Sequence, residues 1–108
     1  MIKFNVFREN NQIEAFELSG HAESGPYGYD LVCAGVSAVS FGAVNAVLQL
    51  CEIDLKIEQH EGGYLYVALP DSIDMETMNE AQLLLEGMII SLQTIEREYH
   101  EFITIQSK

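Results

Sequence analysis

Ile2, Phe4 and Val6 alternate with Lys3 and Asn5, the period of two expected of a strand with one buried face. Glu9-Asn10-Asn11-Gln12 supplies a polar turn before Ile13 to Leu18, so the chain opens on a hairpin. Ser19-Gly20 ends the second strand, and Ala22 to Tyr29 follows as a loop in which Gly25, Pro26 and Gly28 preclude regular structure. From Cys33 to Leu50 the pattern turns helical and rich in small residues, with Val36, Val39, Val44, Val47 and Leu48 among them. A helix this slim and apolar on most sides is expected to be central and packed closely against a sheet. Ile53, Leu55 and Ile57 then alternate with Asp54, Lys56 and Glu58, Glu61-Gly62-Gly63 turns, and Tyr64 to Leu69 returns as a second hairpin. Pro70-Asp71-Ser72 offers stop and cap chemistry. Met78, Ala81, Leu85, Met88, Leu92, Ile95 and Tyr99 then recur at steps of three and four, which predicts a long amphipathic helix. Its other face, with Glu80, Gln82, Glu86, Gln93, Glu96 and Arg97, reads as solvated, and Phe102 to Ile105 supplies a last strand. The order ββαββαβ predicts an α+β two-layer sandwich: a mixed, largely antiparallel sheet of about five strands with both helices on one face.

The 108 residues suit one domain, 1–108, with room for one main site. No uninterrupted apolar run approaches the ~20 residues that span a bilayer. Met1 to Val6 lacks the basic flank, long apolar core and cleavage site of a secretory signal, so a cytoplasmic protein without a membrane partner is expected. In that reducing compartment Cys33 and Cys51 are expected to stay unbridged. About 18 helical steps of ~1.5 Å would also hold them ~27 Å apart, far beyond the ~7 Å limit for a disulfide. Five basic against seventeen acidic residues give a net charge of −12. That field repels phosphate backbones, which argues against direct nucleic-acid binding, and attracts basic polypeptides; it serves solubility equally well.

The stretch from Gly20 to Ser37 puts an imidazole, His21, at a strand end and a thiol, Cys33, at a helix start, with a glycine-rich loop between them. A helix N-terminus and a nearby imidazolium both favour thiolate, the species that attacks a peptide carbonyl, and His21 would then protonate the leaving amine. Backbone N–H groups at that helix start, those of Cys33, Ala34 or Gly35, are candidates to hold the oxyanion. Asp30 either orients His21 or caps the helix, and Ser37 stands one turn after the thiol. Gly25 and Gly28 make the joining loop pliable enough to gate the pair. From the residues alone the competing reading stays open: Cys33 as a small buried hydrophobe and His21 as a hydrogen-bonded strand end, in a non-catalytic module that binds a basic polypeptide.

Gly20-His21-Ala22, followed by Gly28-Tyr29-Asp30-Leu31-Val32-Cys33-Ala34-Gly35-Val36-Ser37, resembles the signature of the ribosomal-processing cysteine protease family, Prp. The length, the opening hairpin, the Glu61-Gly62-Gly63-Tyr64 turn and the long C-terminal helix fit the same family, and Gly35 stands where a small residue, often alanine, is usual. The resemblance implies Cys33 as nucleophile and His21 as base in an enzyme that needs no cofactor. It further implies removal of a short N-terminal extension from large-subunit ribosomal protein twenty-seven, a basic substrate suited to the acidic surface. A homodimer is expected both from the resemblance and from a Met78–Tyr99 seam wider than one small sheet can cover.

Other polar residues read more plainly. His60 beside a turn and His100 after a helix suit exposed positions, and Cys51 suits a core position. No CxxC or HxxxH spacing supports a metal site. Gly25-Pro26-Tyr27-Gly28 lacks the lysine of a phosphate loop. Tyr27, Tyr29, Tyr64 and Tyr66 are candidates to line a peptide groove.

Overall fold

The computed structural model describes residues 1–20, 29–61 and 63–108, without the side chains of Tyr29 and Asp30. The chain runs β1 (Ile2–Glu9), β2 (Gln12–Ser19), α1 (Tyr29–Leu50), β3 (Lys56–His60), β4 (Tyr64–Ala68), α2 (Met75–Glu98) and β5 (Ile103–Ser107). The five strands form one sheet in the order β3-β4-β2-β1-β5. All pairings are antiparallel except β1 with β5; each helix is a crossover that returns the chain in the same direction, but α1 joins β2 to β3 with β4 inserted between them and α2 joins β4 to β5, which lands beside β1. The α+β sandwich of order ββαββαβ is the observed fold.

Asn10 and Asn11, at φ 53° and 66°, make the two-residue loop of the first hairpin; asparagine tolerates this left-handed region and matches the twist of the strands. The register then shifts: Phe7 opposes Ala15 but Arg8 opposes Ile13, which leaves Glu14 as the extra residue of a bulge. Two contacts absorb the disturbance. The Leu69 N–H donates to the Glu14 carbonyl at 2.9 Å. The Gln82 side chain accepts from the Ile13 N–H at 2.8 Å and donates to the Ile13 carbonyl at 2.7 Å, replacing a missing strand with one amide. Arg8, beside the bulge, is tied to α2 by two bonds to the Glu86 carboxylate at 2.6 and 2.9 Å. This guanidinium holds Glu86 below the usual carboxylate range.

Ile2, Phe4 and Val6 share one sheet face with Phe16, Leu18, Leu65, Val67 and Ile103, all buried. The Phe4 and Phe16 rings stack there at 5.1 Å. Val32, Val36, Val44 and Val47 of α1 and Ala81, Leu85, Met88, Ile89 and Leu92 of α2 close the core above them. The opposite face carries Lys3, Asn5, Glu17, Ser19, Tyr66, Thr104 and Gln106.

Several details depart from the sequence pattern. Helix α1 starts at Tyr29, a turn before Cys33, because Val32 continues the buried stripe of Val36, Val44 and Val47. It is not central: Leu31, Ala34, Ala38, Gly42 and Asn45 are exposed on its far side. Residues 31–50 reach a mean hydropathy of 2.0 and are long and apolar enough to cross a membrane, yet the third of that stretch that is buried roofs the sheet. Withdrawing it would uncover the aromatic core. Strand β3 begins at Lys56, since Glu52 turns the chain at φ 54° and Ile53 and Leu55 pack beneath the helices instead of pairing. Asp74, not residues 70–72, caps α2 by accepting from the Thr77 N–H at 3.2 Å. The outer face of α2 is not merely solvated, because Gln82, Glu86 and Glu96 all bond to the sheet or its side chains, Glu96 accepting from the Ile105 N–H at 2.9 Å.

Replacing Gln82 with leucine strands both polar groups of Ile13 and is expected to lower stability by about 1–3 kcal/mol. The measurement is the denaturant midpoint at constant slope; an unchanged midpoint would show that the bulge does not depend on this amide.

Candidate active site

Gly20 ends β2 at φ +87°, where a Cβ would lie 2.5 Å from the Met1 carbonyl oxygen. Only glycine lets the end of β2 lie this close to the start of β1. His21 follows at once, and it lies outside the described residues together with Gly25 and Gly28. Helix α1 resumes the chain at Tyr29, and its Gly35 approaches Ile95 near the end of α2, which leads into β5 at the end of the sheet where Gly20 lies against Met1.

Cys33 is the fifth residue of α1, half-buried, and packs against the core. Its neighbour Gly35 places its Cβ direction 3.7 Å from Ile95 of α2. Two residues span about 200° around a helix, so the Cys33 side chain turns to the opposite flank, toward β4 and β3. Ser37, Phe41, Val44 and Leu48 fall within about 80° of it on the same flank. Ser37 is half-buried one turn on.

The early helix start corrects two expectations. Among the described residues the N–H groups left over at the first turn belong to Tyr29, Asp30 and Leu31, whereas those of Ala34 and Gly35 donate back along the helix and are not placed to hold an oxyanion. Asp30 is the second helical residue and does not occupy the N-cap; a carboxylate in this first turn suits the positive end of the helix dipole. Its side chain, like any bond to His21, lies outside the described residues.

The two thiols sit in different surroundings. Cys51 is 8% exposed just past the far end of α1, where burial, with Glu80 adding, pushes its thiol up and keeps it protonated. Neither cysteine is in a disulfide. Among the described residues no three His, Cys, Asp or Glu side chains converge as a metal site would need.

Tyr64 and Tyr66 belong to the sheet face away from the helices, so they line no groove beside Cys33. Tyr64 donates to Glu17 at 2.8 Å, Glu17 also accepts from Asn5 at 3.3 Å, and the His60 ring stacks on Tyr64 at 5.5 Å. The bond to Glu17 raises the Tyr64 phenol to about 12. Because the folded value lies above the ordinary 10.0, this bond stabilises the fold below pH 10 and its contribution is lost as pH climbs through about 12. Tyr64→Phe is therefore expected to flatten the alkaline limb of the stability profile between these pH values, as read by melting temperature against pH. An unaltered limb would place the dependence elsewhere.

One residue carries no mark in the sequence. Ser40 is wholly buried on the core side of α1, and among the described residues its hydroxyl has no hydrogen-bond partner. Only the tertiary placement of the helix distinguishes it from the half-buried Ser37.

Residues 1–104 match the family described as Cysteine protease Prp. The chain is 48% identical over 107 residues to the ribosomal processing cysteine protease Prp of Bacillus subtilis (strain 168), covering 97% of this chain and 96% of the relative. Among solved structures, the essential ribosomal processing protease Prp of S. aureus with a substrate peptide superposes at a TM-score of 0.88, with 39% identity and full coverage of both chains. The same S. aureus protease with a covalently linked product peptide gives 0.85, again at 39% identity and full coverage. With a family match over nearly the whole length and a shared fold, the chain belongs to the Prp family of cysteine proteases and is itself a protease rather than a non-catalytic binder.

Proposed function

We propose that this protease removes the N-terminal extension of large-subunit ribosomal protein twenty-seven in the cytosol, with Cys33 as nucleophile and His21 as general base. The observation that carries the assignment of the nucleophile is the contrast between the two thiols. Cys33 is half-buried near the start of a 22-residue helix, at the sheet end where Gly20 leads into His21. Cys51 is buried at the other end of the helix with its thiol pushed up.

The Cys33 thiolate attacks the scissile carbonyl, and the tetrahedral oxyanion collapses to a thioester as the amine leaves with a proton from the His21 imidazolium. Water, deprotonated by His21, then attacks the thioester, releasing the N-terminal extension as an acid and restoring the thiolate. First-turn N–H groups of α1 are the available backbone donors, and Asp30 and Ser37 are the polar neighbours suited to steady the imidazole and thiol. The product peptide covalently linked to the S. aureus relative supports this acyl-enzyme route. The net charge of −12 supports a basic substrate. Incubation with the host's own unprocessed ribosomal protein, followed by mass analysis, tests substrate and activity together. A single cut that removes the extension is expected, and an intact substrate would overturn the assignment.

The working form we propose is a homodimer joined through the helix layer. Leu31, Ala34, Ala38 and Gly42 expose an apolar, small-residue face on α1, and Leu83 and Ile90 of α2 are 75% and 63% exposed. Light scattering is expected to give twice the chain mass of 12.1 kDa and Ala38→Glu to halve it. A wild-type mass near 12.1 kDa at micromolar concentration would contradict the dimer.

A further inference from the structure

At the end of the sheet opposite Gly20, a hollow of about 400 Å³ opens around the Glu14 bulge. Register places Phe7, Ala15, Ala68 and Lys56 in one row across β1, β2, β4 and β3, on the face away from the helices, with Tyr66 in the next row. Phe7 and Tyr66 are half-buried, and their tilted rings, with centroids 6.5 Å apart, line the hollow together with Ala15 and Ala68. The floor is therefore apolar and aromatic.

The rim carries Glu14, Asp71 and Lys56. Glu14 is hydrogen-bonded to the Glu9 carboxyl, and this bond, with the nearby negative charge of Glu9 and Asp71, holds Glu14 above the usual carboxylate range. Lys56 lies 3.6 Å from Asp71, both side chains mostly exposed, so that pair is weak and balances one carboxyl of the three. Among the described residues these groups do not converge as a metal site would need. An apolar floor with two rings beneath an anionic rim instead selects a cation carried on an aliphatic stem.

We propose that this hollow is a second recognition site, remote from the cleavage site, that takes an arginine or lysine side chain of the polypeptide being processed. For its occupant the inference rests on the basic polypeptide of the proposed function, whose charge the rim complements. The aliphatic stem lies along Phe7 and Tyr66, and the charged head meets Glu14 and Asp71. One polypeptide reaches both places: the longest dimension of the molecule is 45 Å, which about 13 extended residues cover. A second point of attachment raises the local concentration of the chain at the protease without touching the reacting groups, so it acts on KM and not on kcat.

The probe is a blocked tripeptide, acetyl-Ala-Arg-Ala-amide, titrated into the full-length Cys33→Ala protein while backbone amide shifts are followed. Shifts are expected at Phe7, Ala15, Tyr66 and Ala68, and the citrulline analogue, similar in shape but uncharged, is expected to bind roughly fivefold more weakly or worse. The double variant Glu14→Gln, Asp71→Asn should weaken the arginine peptide roughly fivefold to tenfold, whereas Glu58→Gln, Glu61→Gln, which removes the same charge elsewhere, should change it less than about twofold. On the unprocessed ribosomal protein the Glu14, Asp71 variant should raise KM roughly threefold to tenfold at unchanged kcat, and should leave KM unchanged for a short peptide holding only the cleavage junction. Equal binding of the citrulline peptide, shifts confined to other residues, or an unmoved KM on a ribosomal protein that the enzyme does cut would overturn the second site and leave the protease assignment standing. A ribosomal protein that wild-type enzyme leaves intact overturns the substrate reading, and the tripeptide titration then decides by itself whether the hollow takes a basic side chain.

Discussion

Replacing Cys33 with alanine is expected to abolish cleavage, by more than roughly a thousandfold in kcat, while the protein stays folded. The sulfur is half-buried at the edge of the core, so its removal costs about 1 kcal/mol or less. It is nevertheless the only atom proposed to attack the carbonyl, and no neighbouring group on the same flank of α1 replaces it: the Ser37 hydroxyl lacks the thiolate's acidity. Cys51→Ala is the matched control. With its thiol pushed up by burial, Cys51 contributes packing alone, and the variant should cut at the wild-type rate with a modest loss of stability. Residual turnover in Cys33→Ala, or a dead Cys51→Ala that is still folded, would assign the chemistry to the wrong thiol.

Gly20→Ala is expected to lower stability by on the order of 2–3 kcal/mol and turnover by at least about tenfold. Two independent penalties meet there. The backbone lies at φ +87°, in a region that a Cβ disfavours, and that Cβ would stand 2.5 Å from the Met1 carbonyl oxygen. The opposing atom belongs to the backbone, so no side-chain rotation relieves the clash, and either the start of β1 or the end of β2 must move. Turnover suffers because the next residue is His21, whose placement depends on where β2 ends. Chemical denaturation measures the first effect and kcat the second. Wild-type values for both would show that the strand end is slack and does not position the base.

The hairpins are legible in the sequence because alternation and turn residues are local properties: Asn10-Asn11 asks for a left-handed two-residue loop and the structure supplies one. The start of α1 is not, since Gly28 and Tyr29 read as loop until Val32 is seen to join the buried stripe. Nor are the Glu14 bulge and its repair by Gln82, which link residues far apart in the chain through an amide that local periodicity assigns to solvent. At the site, Cys33 and His21 stand out in the sequence as a motif, because thiolate chemistry asks for those residue types, while His21 lies outside the described residues. The flank that Cys33 faces is set by the packing of Gly35 on Ile95, and the outermost place of β3 in the sheet appears only when the strand order is known.

Trapping the acyl-enzyme tests the central claim most directly. Wild-type protein mixed with the unprocessed ribosomal protein, quenched in acid within the first turnover and digested, should carry the mass of the N-terminal extension as a thioester on the fragment containing Cys33, with Cys51 unmodified. The extension attached to Cys51, or cleavage with no thioester on either cysteine, would contradict it.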